Sequence, residues 1–203
     1  MNLSFNIGGD MFKHVEDDSS TIVVTVNCVG VMGKGVARQA KHHAPELNQE
    51  YIGLCKENKV KPGVPFTLTD RKWLLFPTKN HWRYNSRYSW IRQGLKRIAE
   101  HADSLKGRKI LMTLPGCGNG NLEPYRIHKM VFETLKDTDL DITLYMTAWQ
   151  RDEIHEMNRV ACQRTAIALG RWALAGGNSQ WVQDAPKPIL TDEEVEWIEG
   201  IVA

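Results

Sequence analysis

Short apolar runs, separated by segments of helical spacing, are the main pattern along this chain. The run TIVVTVN at Thr21–Asn27 is rich in β-branched residues and bounded by polar ones, which is typical of a buried strand. The same pattern predicts six strands in all: Leu3–Ile7, Thr21–Asn27, Phe66–Leu68, Lys72–Phe76, Lys109–Leu114 and Asp141–Thr147.

Between these strands, apolar positions recur every three or four residues and predict helices. Pro45 is expected to divide the segment Lys34–Cys55 into two helices, because proline breaks the helical hydrogen-bond ladder. A helix is expected at Ser86–Leu105, with Asn85 or the serine itself as its N-cap. Glu123–Leu135 is expected to form a further helix.

Strands that alternate with helices are typical of an α/β fold, in which a mixed, mostly parallel sheet lies between two helical layers. Ligands of such sheets bind at the carboxyl ends of the strands. After Trp149 the pattern becomes helical, with a long helix expected at Arg151–Ala175 and a capping box at Thr191–Glu194. We therefore expect a core domain at 1–149 and a helical extension at 150–203 packed on it.

Composition narrows the class of protein only a little. The 203 residues, 42% hydrophobic and 25% charged, suit one soluble globular domain with an appendage. The absence of a membrane-length apolar run and of a signal-peptide pattern makes the cytoplasm the expected location. A net charge of +2 does not by itself imply a nucleic-acid partner. The four cysteines form no C-x-x-C pair, which argues against a zinc site. No metal or other cofactor is predicted.

Two glycine-rich loops carry the first chemical signal. Asn27–Ala37 (NCVGVMGKGVA) follows a predicted strand and leads into a helix, where exposed N–H groups favour an anion. Leu114–Leu122 (LPGCGNGNL) has the same setting, and its backbone could wrap a diphosphate. Either loop alone could be a plain turn. Two of them at one sheet edge favour a ligand that bears a diphosphate.

A third segment, Phe76–Trp90 (FPTKNHWRYNSRYSW), also follows a strand and mixes cationic with aromatic side chains. Lys79 is expected to project from the edge of the sheet. The rest of the segment could contact nucleic acid, because arginines pair with phosphates while aromatic rings stack on bases. The alternative is an ordinary exposed loop. The candidate DNA contacts are His81, Trp82, Arg83 and Arg87.

These stretches, together with Gly9–Phe12 (GDMF), resemble the macrodomain family over residues 1–149. The resemblance is strongest to the DarG-type DNA ADP-ribosyl glycohydrolases, and the run Pro77–Arg83 (PTKNHWR) is its most specific part. It implies a three-layer α/β/α fold that binds ADP-ribose, and a hydrolase that removes ADP-ribose from DNA bases. The expected substrate is ADP-ribosylated DNA, and we favour the single-stranded form. The expected cellular role is antitoxin-like DNA repair.

The resemblance also implies roles for individual residues. Asp10 would bond the adenine amino group with Met11 beside it, Tyr145 would pack near the adenine, and Asn27 would reach the distal ribose. Lys79 would stand at the anomeric carbon as the catalytic residue. The two glycine loops would hold the ribose and the diphosphate, through Gly30, Val31, Met32, Gly33, Gly35 and Val36 in the first loop and Pro115, Gly116, Cys117, Gly118, Asn119, Gly120 and Asn121 in the second.

One departure from related macrodomains affects the expected substrate. Relatives that cleave ADP-ribosyl esters carry an Asp in the second glycine loop, at the position that Gly120 occupies here. The change favours a DNA-directed enzyme in which Lys79 does more of the work. A hydrolase of protein-linked or small ADP-ribose derivatives and a non-catalytic ADP-ribose reader remain alternatives. The extension at 150–203 does not resemble the toxin-binding domain of DarG, so toxin binding is not expected.

Overall fold

The structure, a computed structural model, describes residues 1–174 of the chain. Its single sheet contains β1 Asn2–Ile7, β2 Ser20–Val26, β3 Phe66–Leu68, β4 Trp73–Pro77, β5 Lys109–Thr113 and β6 Asp141–Met146. The α-helices within these residues are α1 Gly35–His43, α2 Pro45–Lys56, α3 Tyr88–Glu100, α4 Pro124–Leu135 and α5 Ala148–Leu174. Two 3₁₀ helices lie at Met11–His14 and Ala102–Leu105. Each predicted strand agrees with an observed one to within one residue at either end.

The sheet has the strand order β1-β6-β5-β2-β4-β3. Every neighbouring pair is parallel except β3 with β4, so the predicted mixed, mostly parallel sheet is confirmed. In the centre, Ile22 of β2 lies between Trp73 of β4 and Leu111 of β5. The carboxyl ends of the five parallel strands therefore meet at one edge, and both glycine loops leave the sheet there.

Side chains of the central strands alternate between two helical layers. On β4, Trp73 and Leu75 belong to a buried cluster with Ala40 of α1 and Leu47 of α2. The next residue, Phe76, faces the opposite layer, where α3 comes so close that a Cβ at Gly94 would lie 2.2 Å from its ring. Burial on both faces explains why these strands are continuous apolar runs. The α/β/α arrangement expected from the sequence is confirmed.

The helix predicted at Ser86–Leu105 differs from the observed one at both ends. It begins at Tyr88, with Arg87 as an N-cap that makes no side-chain cap bond, so the predicted cap at Asn85 or Ser86 is wrong. Its other end is at Glu100, where Nδ1 of His101 donates to the Arg97 carbonyl at 2.8 Å. The Ala102–Leu105 turn follows as a separate 3₁₀ helix.

The chain divides into two units, Met1–Ala148 and Trp149–Ala203. In the second unit, α5 continues to Leu174, and the predicted helix end at Ala175 and capping box at Thr191–Glu194 lie outside the described residues. The packing of the extension on the core stays a prediction. No helix among residues 1–174 is both long and apolar enough to cross a membrane.

Candidate active site

The crevice between β2 and β5 is the natural ligand site of this sheet. From β2 the chain passes through α1, α2 and the edge strand β3 to β4, which lies on one side of the β2–β5 pair. From β5 it passes through α4 to β6, which lies on the other side of this pair. The connections therefore diverge at the carboxyl ends of these two neighbouring strands. Open α/β sheets bind their ligands at such a topological switch point. The loop after β2 and the loop after β5 flank the crevice.

The first loop is shaped by the side chain of Asn27, which is 6% exposed. Its Oδ1 accepts from the backbone N–H of Val29 at 3.0 Å and of Val31 at 3.3 Å, while its Nδ2 donates to the Val31 carbonyl at 2.6 Å. The buried Tyr51 hydroxyl of α2 donates to the Asn27 carbonyl at 2.7 Å. Gly30, at φ 76°, takes the left-handed conformation that closes the loop.

Backbone hydrogen bonds within the second loop, Leu114–Leu122, fix part of its conformation. The Leu122 N–H donates to the Gly116 carbonyl at 3.0 Å, and the Asn121 N–H donates to the Gly118 carbonyl at 3.1 Å. The N–H groups of Gly118, Asn119 and Gly120 meet no acceptor within residues 1–174. Successive unpaired N–H groups in a turn form an anion-binding concavity.

Gly120 occupies a position in which no side chain fits. A Cβ there would lie 2.3 Å from the Gly116 carbonyl oxygen and 2.4 Å from Oγ of Ser86. The residue carries the carbonyl that accepts from the Ser86 N–H at 3.0 Å. This loop conformation therefore excludes an acidic side chain at position 120, and no carboxylate enters the crevice from there.

Lys79 lies where the sequence predicts it, directly after β4 and partly buried. The Cys28 N–H donates to the Asn80 carbonyl at 3.1 Å, and the Cys28 thiol donates to the Lys79 carbonyl at 3.3 Å, so the first loop fixes this backbone. The Lys79 ammonium donates to the Asn119 carbonyl of the second loop. Burial lowers the pKa of the lysine. The amine thus stands between the two glycine loops.

The segment after Lys79 is joined to the second loop again at its far end. Nδ2 of Asn121 donates to Oδ1 of Asn85 at 2.8 Å, next to the bond from Ser86 to Gly120. Residues 79–86 therefore form an arch with both ends on the second loop. The sequence does not identify Asn85, Ser86 or Tyr51 as parts of the site. Their hydrogen-bond partners are distant in sequence, so no local pattern marks these residues.

The top of this arch is an exposed aromatic and cationic surface. Trp82 is 47% exposed and Tyr84 is 67% exposed. The Arg83 guanidinium lies 4.8 Å from the centre of the Trp82 ring, and the His81 ring stacks on Trp82 with the two ring centres 5.3 Å apart. Arg87 lies apart from this group, 4.8 Å over the ring of Trp90. Exposed rings flanked by guanidinium groups are suited to stacking on bases.

Three further residues come together at the ends of β1 and β6. Asp10 is the N-cap of the Met11–His14 turn, and its Oδ1 accepts from the Phe12 N–H at 2.9 Å. Met11 and Tyr145 are buried. Burial, and next the Asp10 carboxylate, raise the pKa of the Tyr145 hydroxyl, so the two side chains lie close together. The second Asp10 oxygen has no partner among the described residues.

The fold and these contacts define a three-layer α/β domain with two anion-binding loops and an amine at its switch point. The Macro domain family model matches residues 23–131. The chain belongs to the macro domain family.

Named relatives agree with this assignment. A DNA ADP-ribosyl glycohydrolase of Thermus aquaticus is 36% identical over 128 residues, which are 60% of this chain and 36% of the relative. The macrodomain of Mycobacterium tuberculosis DarG has a TM-score of 0.63 and 31% identity, over 70% of this chain and 96% of that one. Thermosipho africanus DarTG in complex with ADP-ribose also has a TM-score of 0.63, with 30% identity, over 72% of this chain and 42% of that one. The chain thus matches little more than a third of the curated Thermus relative.

Proposed function

We propose that this protein is a DNA ADP-ribosyl glycohydrolase that releases ADP-ribose from modified DNA bases, with Lys79 as its catalytic residue. The position of the Lys79 amine, on the Asn119 carbonyl between the two glycine loops, is the observation that carries the proposal. A relative 36% identical over 128 residues has this activity as its name. A relative with 30% identity is described in complex with ADP-ribose.

The ligand that we propose fills the crevice from end to end. The diphosphate would take the unpaired N–H groups of Gly118, Asn119 and Gly120. The adenine would lie against Asp10, whose free oxygen can accept from an exocyclic amine, with Met11 and Tyr145 alongside. The distal ribose would then lie between Asn27 and Lys79. The Asn27 side chain still has one N–H that meets no acceptor in the described part of the chain.

The chemistry follows from the electrophilic anomeric carbon, whose substitution passes through an oxocarbenium-like state. A neutral Lys79 could attack this carbon, so that a C–N bond to the lysine forms as the bond to the base breaks, and water then hydrolyses the adduct. An ammonium at Lys79 could instead protonate the departing base. Burial favours the neutral amine over the ammonium. Since Gly120 carries no carboxylate, Lys79 would be the ionisable group that acts at this carbon.

The arch suits a nucleic-acid substrate better than a protein-linked ester. Trp82 and Tyr84 are large exposed aromatic side chains that follow the lysine closely in sequence. Stacking of a base on such a ring contributes about 1–3 kcal/mol. Neighbouring bases of a single strand could use these rings, with Arg83 on a phosphate. Base stacking would therefore remove the exposed rings of these side chains from water.

The test is release of ADP-ribose from an ADP-ribosylated single-stranded oligonucleotide, compared with an ester-linked protein substrate. Lys79→Ala is expected to abolish release from DNA, and Lys96→Ala, which changes an exposed lysine on α3, is the control with wild-type activity. If Lys79 attacks as a neutral amine, kcat rises with pH and levels off below the ordinary lysine pKa of 10.5. If it protonates the base, kcat falls over the same range. Full activity of Lys79→Ala on DNA would refute the proposal.

In the cell, this activity would reverse the modification made by a DNA-modifying toxin, as an antitoxin-like repair enzyme. The expected cytoplasmic location belongs to the same proposal. A toxin-binding role is not part of it, because the proposal rests on residues 1–148 alone.

A further inference from the structure

A row of cations on α1 is not explained by the fold or by the proposed reaction. Lys34 is the N-cap residue of α1, and Arg38 and Lys41 follow at intervals of four and three residues. Residues spaced in this way lie on one face of a helix. All three are exposed, and α1 contains no acidic residue. We call Lys34, Arg38 and Lys41 the cationic row.

The contacts of the cationic row do not show that it stabilises the fold. The buried residues of α1 are Ala37 and Ala40, and the exposed row borders them. Seven ion pairs join described residues, and none of them includes a member of the row. Three neighbouring like charges without acidic partners repel one another. Their arrangement costs stability unless an anion neutralises them.

The row begins at the mouth of the crevice. A Cβ on Gly35 would lie 3.2 Å from Nδ2 of Asn119, the residue whose carbonyl accepts from Lys79. From this point the row extends along α1 for roughly 10 Å, at 1.5 Å per residue. An anion bound along it would thus be continuous with a ligand in the crevice. The spacing suits a polyanion with regularly repeated charges rather than a single phosphate.

We propose that the cationic row is a second nucleic-acid contact, which binds the phosphates of the strand that flanks the modified nucleotide. This inference rests on the proposed function for the position of that nucleotide. The arch would supply stacking on bases, whereas the row would supply ionic contacts that do not depend on sequence. Each phosphate neutralised on a single strand contributes about −0.7 to the slope of log affinity against log salt concentration.

The experiment compares Arg38→Gln/Lys41→Gln with Lys109→Gln/Lys136→Gln. The control pair removes the same charge from exposed residues at the start of β5 and the end of α4, at the opposite edge of the sheet. Binding of an unmodified single-stranded oligonucleotide is measured by fluorescence anisotropy across salt concentrations. KM and kcat are measured with a modified oligonucleotide and with a modified mononucleotide.

The row variant is expected to weaken oligonucleotide binding about five- to tenfold at low salt and to flatten the salt slope by about 1.4. KM for the oligonucleotide should rise by a similar factor, while kcat and the mononucleotide KM stay at wild-type values. Row and control variants with the same affinity and slope would overturn the inference. If even the wild-type protein does not cleave the modified oligonucleotide, the proposed reaction is wrong. The proposed contact would still hold if the row variant bound the oligonucleotide more weakly than the control variant.

Discussion

The second glycine loop should tolerate a methyl group at Gly118 but not at Gly120, although the two residues are only two positions apart. A Cβ at Gly118 meets nothing within 4 Å, whereas one at Gly120 would lie 2.3 Å from the Gly116 carbonyl oxygen. Neither residue has a positive φ, so backbone conformation does not distinguish them. The comparison of Gly120→Ala with Gly118→Ala therefore isolates the steric effect.

The size of the effect follows from the displacement that the methyl group requires. Cβ atoms essentially never approach closer than 3.0 Å, so the Gly116 carbonyl must withdraw by at least 0.7 Å, the difference between 3.0 and 2.3 Å. That carbonyl accepts from Leu122, and the Gly120 carbonyl accepts from Ser86. Overpacking costs about 1–3 kcal/mol, and weakening the bond from Leu122 costs about 1 kcal/mol more. We expect Gly120→Ala to lower the free energy of unfolding by about 2–4 kcal/mol.

Thermal unfolding followed by circular dichroism measures this loss. For a protein of this size, the expected change lowers Tm by about 5–15 °C, while Gly118→Ala stays within about 2 °C of wild type. Titration calorimetry with ADP-ribose should also show at least tenfold weaker binding by Gly120→Ala, because the loop that would hold the diphosphate is displaced. A Gly120→Ala protein with wild-type Tm would show that the loop yields without cost, and the steric argument would be wrong.

Three other changes have defined outcomes. Tyr51→Phe removes the buried hydroxyl that donates to Asn27, so we expect the free energy of unfolding to fall by about 1–3 kcal/mol in urea denaturation and ADP-ribose affinity to fall with it. Asp17 accepts from Ser19 and Ser20, which lowers its pKa from 3.8 to about 2. The contribution of Asp17 to the free energy of unfolding is therefore present above pH 3.8 and is lost as the pH falls through about 2. Asp17→Asn should unfold more easily than wild type at pH 7, and the difference between the two proteins should shrink toward pH 2. In a double-mutant cycle on kcat, Asn85→Ala and Asn121→Ala should be non-additive, since each removes the same bond of the arch; additive effects would contradict a shared role.

The buried strands could be predicted from sequence because their apolar runs are continuous. The two-sided burial of β2 and β4 leaves little else that TIVVTVN or WLLF could form. The order of the strands could not be predicted in this way, since it depends on which surfaces pack against each other. The meeting of both glycine loops and Lys79 at one edge could be predicted for a similar reason: each lies shortly after a strand, and parallel strands end together.

The parts of the site that sequence did not predict depend on contacts between distant segments. Asn85 and Ser86 have the composition of a helix cap, yet they bond Asn121 and Gly120 instead, and the helix begins later. Tyr51 occupies an apolar position of α2, where its hydroxyl gives no signal before its partner is known. The expected contacts of Asp10, Met11 and Tyr145 with adenine came from family resemblance and stay predictions.

The bond from Lys79 to the Asn119 carbonyl ties the amine to the loop that would hold the diphosphate. A carbonyl oxygen accepts from an amine as well as from an ammonium, so this bond positions the nitrogen in either protonation state. A ligand that occupies the second loop competes for the same stretch of backbone. A displacement of this loop on ligand binding would therefore also move the reactive nitrogen.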